Sequence, residues 1–281
     1  MTIQEHLSLK EAALYSCLHR FTRLGVAFSG GVDSTVLLAA AFRVLGSRVV
    51  ALTAMSPIHP SGEKEASIEV ASRMGVTHIL FPSQEMDDPA FTANSPDRCY
   101  HCKTGLFSSM GLKAADSGIT VLAHGANVDD LSDYRPGFRA AHELGVVAPL
   151  IEAGLNKADV RGLARRWGLE NWNRPAMACL ATRIPYGTPI QLHILKQIDR
   201  AEAFLRELGV LHCRVRHYGN LARIETGPEQ IALLIEPGLR ERIVTQLRQM
   251  GYAHICLDLE GYAPGKMNRD IEKNRSCSEK Q

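Results

Sequence analysis

Val26-Ala27-Phe28 runs directly into Ser29-Gly30-Gly31-Val32-Asp33-Ser34-Thr35, an apolar strand followed by a glycine loop that opens a helix. Such a loop is suited to phosphate. Its glycines let the backbone approach an anion closely and adopt φ > 0. The N–H groups at a helix start then point at the anion, and the helix dipole favours its charge. Ser29, Ser34 and Thr35 add hydroxyl donors. The lysine of the Gly-x4-Gly-Lys-Ser/Thr phosphate loop is absent. A plain tight turn between strand and helix would need neither the two serines nor Asp33.

The chain has seven cysteines. Cys99-Tyr100-His101-Cys102 is a Cys-x2-Cys pair, whose spacing lets both thiolates face one metal or cluster, or lets them form a redox disulfide. No second such pair supplies the other half of a zinc site. Cys17, Cys213 and Cys256 stand among apolar or strand-like neighbours and are expected in the core. Cys277 lies in a polar tail. Cys179 differs: it sits in a stretch from Asn171 to Gly187 punctuated by proline, glycine and arginine, an ordered loop beside a site. Cys99, Cys102 and Cys179 suit a 4Fe–4S cluster with one iron lacking a protein ligand, a position for hydrosulfide. A three-cysteine zinc site with His101 or His124 as fourth ligand, and a Cys99–Cys102 redox pair serving Cys179, are the alternatives.

The elements that must position these groups follow from periodicity. Leu7, Leu14, Leu18 and Phe21 mark an amphipathic lead-in helix. Strands are predicted at 24–28, 48–53, 77–81 and 120–123, and helices at 34–45, 62–74, 104–116 and 157–167. Gly46, Gly75, Gly118 and Gly168 follow the helical runs, and Asn156 is suited to cap the last helix. This alternation predicts an α/β fold, a parallel sheet with helices on both faces, over residues 1–185. Ligand then sits at the carboxyl ends of the strands, where the Ser29–Asp33 loop falls. Residues 186–263 read as a small α+β module: a helix at 190–208, a hairpin across Gly219-Asn220, a helix at 231–250 broken by Pro237-Gly238, and a strand at 254–259. The tail 264–281 is polar and expected to be disordered. The 281 residues are 45% hydrophobic, enough for a packed core, and the net charge of +2 argues against a large nucleic-acid footprint. No signal peptide is expected, no apolar run reaches the roughly 18 residues of a membrane span, and the odd cysteine count points to the reducing cytoplasm.

The Ser-Gly-Gly-x-Asp-Ser loop resembles that of the PP-loop ATP pyrophosphatases, an adenine nucleotide α-hydrolase-like fold. Ser29–Thr35, Gly125-Ala126-Asn127-Val128-Asp129-Asp130, Asp133-Tyr134-Arg135-Pro136-Gly137, Lys157-Ala158-Asp159-Val160-Arg161, the Cys179–Gly187 segment, Arg214-Val215-Arg216 and Ala222-Arg223-Ile224-Glu225 together resemble the ATP-dependent sulfur transferases of the LarE type. The resemblance runs from Gly25 to about Gly261. It implies adenylation of a carboxylate of pyridinium-3,5-biscarboxylic acid mononucleotide with release of pyrophosphate. Displacement of AMP by sulfur then gives a thiocarboxylate on the way to a nickel-pincer cofactor. Cys99 and Cys102 resemble the subgroup in which a 4Fe–4S cluster delivers sulfide; in other members a single cysteine gives up its own sulfur. His124 departs from the family, where an acidic or small residue is expected.

On this resemblance Ser29, Gly30, Gly31, Asp33, Ser34, Thr35, Gly125 and Asn127 would hold ATP. Asp33, then Asp129 or Asp130, would hold Mg²⁺; the plain reading of the latter pair is a helix cap with an acidic first turn. Lys103 would stabilise charge on the transferring group, though an ordinary solvated lysine is the commoner case. Arg183 would neutralise the adenylate or substrate carboxylate. Arg214 and Arg216 share one strand face and suit a substrate phosphate, or pair with Glu202 or Glu225. A sulfide source and a homo-oligomer are also implied. The competing functions are a tRNA thiolase, which should show a basic face, an ammonia-using amide synthetase, which would not need the three cysteines, and a nucleotide-binding regulator, which would release no pyrophosphate.

Overall fold

The computed structural model describes residues 2–132, 136–174, 178–210, 212–263 and 265–269. The chain divides into two compact units. One comprises Met1–Ser56, Gly62–Asp88 and Cys99–Met177, the other Pro57–Ser61, Pro89–Arg98 and Ala178–Gln281. In chain order the helices are α1 (Ile3–His19), α2 (Val32–Leu45), α3 (Glu63–Met74), α4 (Pro89–Thr92), α5 (Arg98–Ala115), α6 (Pro136–Glu143), α7 (Pro149–Glu152), α8 (Lys157–Arg166), α9 (Leu192–Glu207), α10 (Ile231–Ile235) and α11 (Pro237–Gln249). The strands are β1 (Leu24–Ala27), β2 (Val49–Met55), β3 (Thr77–Pro82), β4 (Leu122–His124), β5 (Arg214–Tyr218), β6 (Leu221–Glu225) and β7 (His254–Leu257).

The first unit is built on a parallel sheet of order β3-β2-β1-β4. Successive side chains of a strand point to opposite faces, and here both faces are covered. Leu24, Val26, Val49, Ala51 and Ala123 join one core with α2 residues such as Val36, Leu37 and Ala40. Val50, Leu52, Ala54 and Leu122 join a second core with Phe107, Met110 and Ala114 of α5. Near-continuous apolar strands of this kind belong to sheets buried on both sides, as the α/β alternation of the sequence requires. Among the described residues no helix is long and apolar enough to cross a membrane.

The connectivity places a crevice. From β1 the chain moves outward through β2 to β3, then returns to pair β4 on the other side of β1. The order therefore reverses between β1 and β4, and their carboxyl-end loops, Ser29–Thr35 and Gly125–Asp130, flank the point where open α/β sheets bind ligand.

Two elements differ from the sequence expectation in a way that matters. Helix α5 begins at Arg98, not near Thr104, so the Cys-x2-Cys pair lies in a helix rather than ahead of one. Asp97, a residue type that caps helix starts, directly precedes it. Cys256 is exposed on β7 rather than buried, because β7 pairs only with β6 and alternates exposed and half-buried positions.

In the second unit β5 and β6 form an antiparallel hairpin and β7 adds in parallel to β6. Gly219 takes φ +64 at the first loop position, where a side chain would be strained and glycine is the favoured residue. Helices α9 and α11 pack over this sheet through Ala201, Leu205, Ile243 and Leu247. The helical run after Gln230 breaks at Pro237 as its sequence dictates. The tail from residue 270 onward lies outside the described residues.

Gly25 in β1 tests the packing of the first unit. An added Cβ would stand 2.8 Å from both Leu122 Cδ2 and Leu52 Cδ1. Gly25→Val should lower the free energy of unfolding by about 1–3 kcal/mol, measured by urea titration of the full chain.

Candidate active site

The Ser29–Thr35 loop is pre-shaped by its own hydroxyls. Ser34 Oγ donates to the Gly31 carbonyl (3.0 Å) and lies 3.1 Å from Ser29 Oγ, which accepts from the Gly31 N–H (3.3 Å). Gly30 has φ +73, and a Cβ there would press on the Ser67 backbone at 3.1 Å. Helix α2 starts after Gly31 with no side-chain cap. The first N–H groups of a helix have no intrahelical acceptor, so donors and dipole are available to an anion, and the loop fits a nucleotide phosphate. Asn171 fixes the loop from behind, donating from Nδ2 to the Gly30 carbonyl (3.0 Å) and to Thr35 Oγ1 (2.8 Å).

The loop after β4 closes on this one. A Cβ on Gly125 would lie 2.7 Å from the Ser34 backbone nitrogen, so only glycine allows the approach. Asn127, buried at 3% exposure, then donates from Nδ2 to Asp33 Oδ1 (3.1 Å). Asp130 accepts from the Asn127 N–H (3.0 Å), and Asp129 accepts from the Lys157 N–H (2.9 Å). Asp130 thus accepts within the turn at Asn127, and Asp129 accepts the first N–H of α8. Lys157 is the residue the sequence did not single out by chemistry. It opens α8, whose first turn is fixed by the Asn156–Asp159 capping box, and its ammonium pairs with Asp33 Oδ2. Both partners are part-exposed, where an ion pair contributes about 1 kcal/mol or less. The signal available in the sequence was a lysine directly behind a capping asparagine.

Helix α5 carries Cys99, Cys102 and Lys103. The two cysteines are part-exposed and one turn apart, on one side of the helix. Two thiolates so spaced fit two anchors of a metal centre. Among the described residues no three His, Cys, Asp or Glu side chains are gathered for a metal. Lys103 lays its stem on Gly137, where a Cβ would meet Lys103 Cγ at 2.9 Å, and holds its ammonium 5.4 Å from the Phe107 ring centre. Asp133, Tyr134 and Arg135 lie outside the described residues. His124, at the end of β4, stands between the Phe107 and Phe138 rings, each 5.9 Å away. Burial, and secondarily the Lys103 charge, pushes its imidazole down to about 4. His124 is therefore neutral at pH 7.

Cys179 belongs to the second unit, part-exposed at the head of a short 3-10 turn, Leu180–Arg183. Two of the three arginines expected to meet substrate, Arg183 and Arg216, bond to this segment. Arg183 is fully buried. It makes a two-pronged pair with Glu202 (2.9 and 3.0 Å) and donates from Nη1 to the carbonyls of Ala178 (2.7 Å) and Cys179 (3.1 Å). Burial opposes its charge, but Glu202 more than offsets this and raises its pKa. Arg216 pairs with Glu225 Oε2 (2.9 and 2.6 Å) and donates to the Thr182 carbonyl (3.0 Å). Glu202 and Glu225 are both at 0% exposure, and a buried carboxylate requires a cation. Neither guanidinium is open to a phosphate here. Arg214 donates to the Cys213 carbonyl (2.9 Å) and stacks 5.1 Å over Tyr262; burial, then Arg183, lowers its pKa.

A parallel sheet with an uncapped, hydroxyl-lined glycine loop at its switch point defines a nucleotide-using α/β enzyme of the PP-loop type. Residues 7–114 match the asparagine synthase family. A Synechocystis sp. protein described as uncharacterized is 42% identical over 88% of this chain and 92% of its own length. The pyridinium-3,5-bisthiocarboxylic acid mononucleotide synthase of Lactiplantibacillus plantarum is 35% identical over 95% of this chain and 96% of its own. An uncharacterized Methanocaldococcus jannaschii protein is 27% identical over 84% of this chain and 89% of its own. The chain belongs to the LarE-type family of the PP-loop ATP pyrophosphatase superfamily, and it is an ATP-dependent sulfurtransferase.

Two outcomes are expected. Glu202→Ala strands the buried Arg183 charge and should destabilise the protein by about 3–5 kcal/mol, read by denaturant unfolding. His124 binds a proton more weakly when folded than unfolded, its value falling from 6.5 to about 4. Its contribution is complete above about pH 6.5 and is lost as pH falls toward 4, reaching roughly 3 kcal/mol. His124→Phe should flatten the stability profile over that window.

Proposed function

We propose that this enzyme adenylates a carboxylate of pyridinium-3,5-biscarboxylic acid mononucleotide and converts it to a thiocarboxylate, a step toward a nickel-pincer cofactor. The observation that carries the reading is the uncapped Ser29–Thr35 loop, in a chain matching a named bisthiocarboxylate synthase nearly end to end.

A carboxylate is a poor electrophile because its leaving group would be oxide. In the proposed reaction a carboxylate oxygen attacks the α-phosphorus of ATP and pyrophosphate departs. Sulfur then attacks the activated carbonyl and AMP leaves. Ser29, Gly30, Gly31, Ser34 and Thr35 would hold the phosphates, with Gly125 and Asn127 closing the site. Asp33, together with Asp130, would hold the Mg²⁺ that accompanies ATP. Lys103 would stabilise charge near the transferring group, and Arg214 remains the candidate for a substrate phosphate. Arg183 and Arg216 act by positioning the Cys179 turn. Cys99, Cys102 and Cys179 are the thiolates proposed to hold a 4Fe–4S cluster. When bound, it would supply sulfide through an iron that no protein thiolate occupies. Cys99 and Cys102 support this, being part-exposed and one turn apart on α5.

The test is a count of products per chain. Protein purified anaerobically, with iron present and sulfide supplied, should form more than one thiocarboxylate per chain. Cys99→Ser and Cys102→Ser should lose both iron and turnover. Activity of iron-free protein that stops at one product per chain, with the sulfur of Cys179 missing by mass, would instead establish a sacrificial cysteine.

A further inference from the structure

We propose that Tyr262 is a positioning residue for Arg214: its ring holds the Arg214 guanidinium where that group meets the phosphate of the mononucleotide substrate. The inference rests on the reading of Arg214 as the substrate-phosphate contact.

Arg183, Arg214 and Arg216 lie in one unit, but different chemistry holds each guanidinium. Arg183 and Arg216 each face a buried carboxylate, Glu202 and Glu225. Against Arg214 lies an uncharged ring. Its guanidinium carbon is 5.1 Å from the Tyr262 ring centre, inside the range of a cation–π contact. A carboxylate neutralises a guanidinium and takes its in-plane N–H groups. A ring takes only the flat face, so it fixes orientation and leaves the charge. This form of support suits a side chain that binds an anion. Arg183 makes the support necessary. Burial, and then the Arg183 charge, lowers the Arg214 pKa, and two like charges so placed push a flexible side chain away. Ordering the arginine before the ligand arrives removes part of the entropic cost of binding.

Tyr262 is itself held through its backbone. Its N–H donates to the Thr226 carbonyl (2.8 Å). Gly261 precedes it at φ +71, where a Cβ would lie 2.6 Å from that same carbonyl oxygen. The Gly261 carbonyl accepts from Lys266 Nζ (3.1 Å). The Lys266 side chain is 7% exposed and pairs with Asp258 (2.7 Å) and Glu260 (3.0 Å). A buried lysine and a positive-φ glycine thus fix an aromatic residue that remains 37% exposed.

Equilibrium binding without ATP separates this role from a purely structural one. The probes are pyridinium-3,5-biscarboxylic acid mononucleotide and the same nucleoside lacking its phosphate, measured calorimetrically on the full-length protein. Tyr262→Ala should weaken the mononucleotide about 3- to 10-fold and leave the nucleoside within about two-fold. Tyr262→Phe, which keeps the ring, should restore most of the loss. Arg214→Ala should weaken the mononucleotide on the order of 10- to 100-fold. Adding Tyr262→Ala to Arg214→Ala should change affinity by less than about two-fold more, because the ring acts through the guanidinium. Thermal unfolding checks each variant, and Tyr262→Leu, which keeps bulk without a ring, replaces Tyr262→Ala if that variant does not fold. Equal weakening of both probes, no change in either, or a full further loss in the double variant overturns the proposal while leaving the Arg214 reading intact. Arg214→Ala that binds both probes as the unaltered protein does overturns the Arg214 reading and the proposal with it. Unaltered protein that binds neither probe overturns the substrate reading and both inferences built on it.

Discussion

The close approach of Gly125 to the Ser34 backbone is the constraint on which the nucleotide site depends. The space for one Cβ is missing at that point, and its absence lets the loop after β4 lie against the first turn of α2. Asn127 can then reach Asp33 from a buried position. The same loop supplies Asp129 to the first N–H of α8, which brings Lys157 to the other Asp33 oxygen. Each step fixes the next: parallel pairing of β1 with β4 sets the two loops side by side, glycine lets them touch, and the touch fixes the polar groups. A side chain at 125 would separate the loops before any catalytic residue was altered.

The second unit solves a different problem by different means. It holds a part-exposed cysteine at the head of a turn of four residues, too short to be stable by itself. Two buried carboxylates do this through two arginines. Glu202 grips Arg183 and also accepts from the Val215 N–H at 3.0 Å, so the α9 side chain joins the Cys179 turn to β5. Glu225 grips Arg216, which reaches the carbonyl of Thr182 in the same turn. Asn94, with φ +58, donates to the carbonyls of Pro185 and Thr188 at 2.8 Å and holds the loop that follows. The charges here shape the Cys179 segment.

The periodic features of this chain were legible in its sequence. The apolar strand before Ser29, the α/β alternation and the break at Pro237 each follow from local chemistry that tertiary packing did not override. The start of α5 was missed because Cys99, Tyr100 and His101 have middling helix propensity, and packing of Phe107 and Met110 into the core favours helix through the whole segment. Cys256 looked buried because His254–Leu257 contains apolar residues, and only the pairing pattern shows it at an edge. Residues 57–61 and 89–98 group with the second unit through contacts distant in sequence, such as the Leu180 N–H on the Ile58 carbonyl at 2.7 Å. For Lys157, nothing local shows that its side chain reaches Asp33 across 124 positions.

Spacing alone could not sort the cations of this protein into fixed and available ones, but burial can. Arg183 and Glu202 are almost wholly removed from water. Breaking such a pair from one side leaves a stranded charge at about 3–5 kcal/mol, a large share of the stability of an ordinary domain. The Lys157–Asp33 pair is part-solvated, and exchanging it for another anion forfeits about 1 kcal/mol or less. The same residue chemistry, a cation against a carboxylate, is therefore buried architecture beneath Cys179 and a part-solvated pair beside Ser29. The difference lies in how much water each pair has kept.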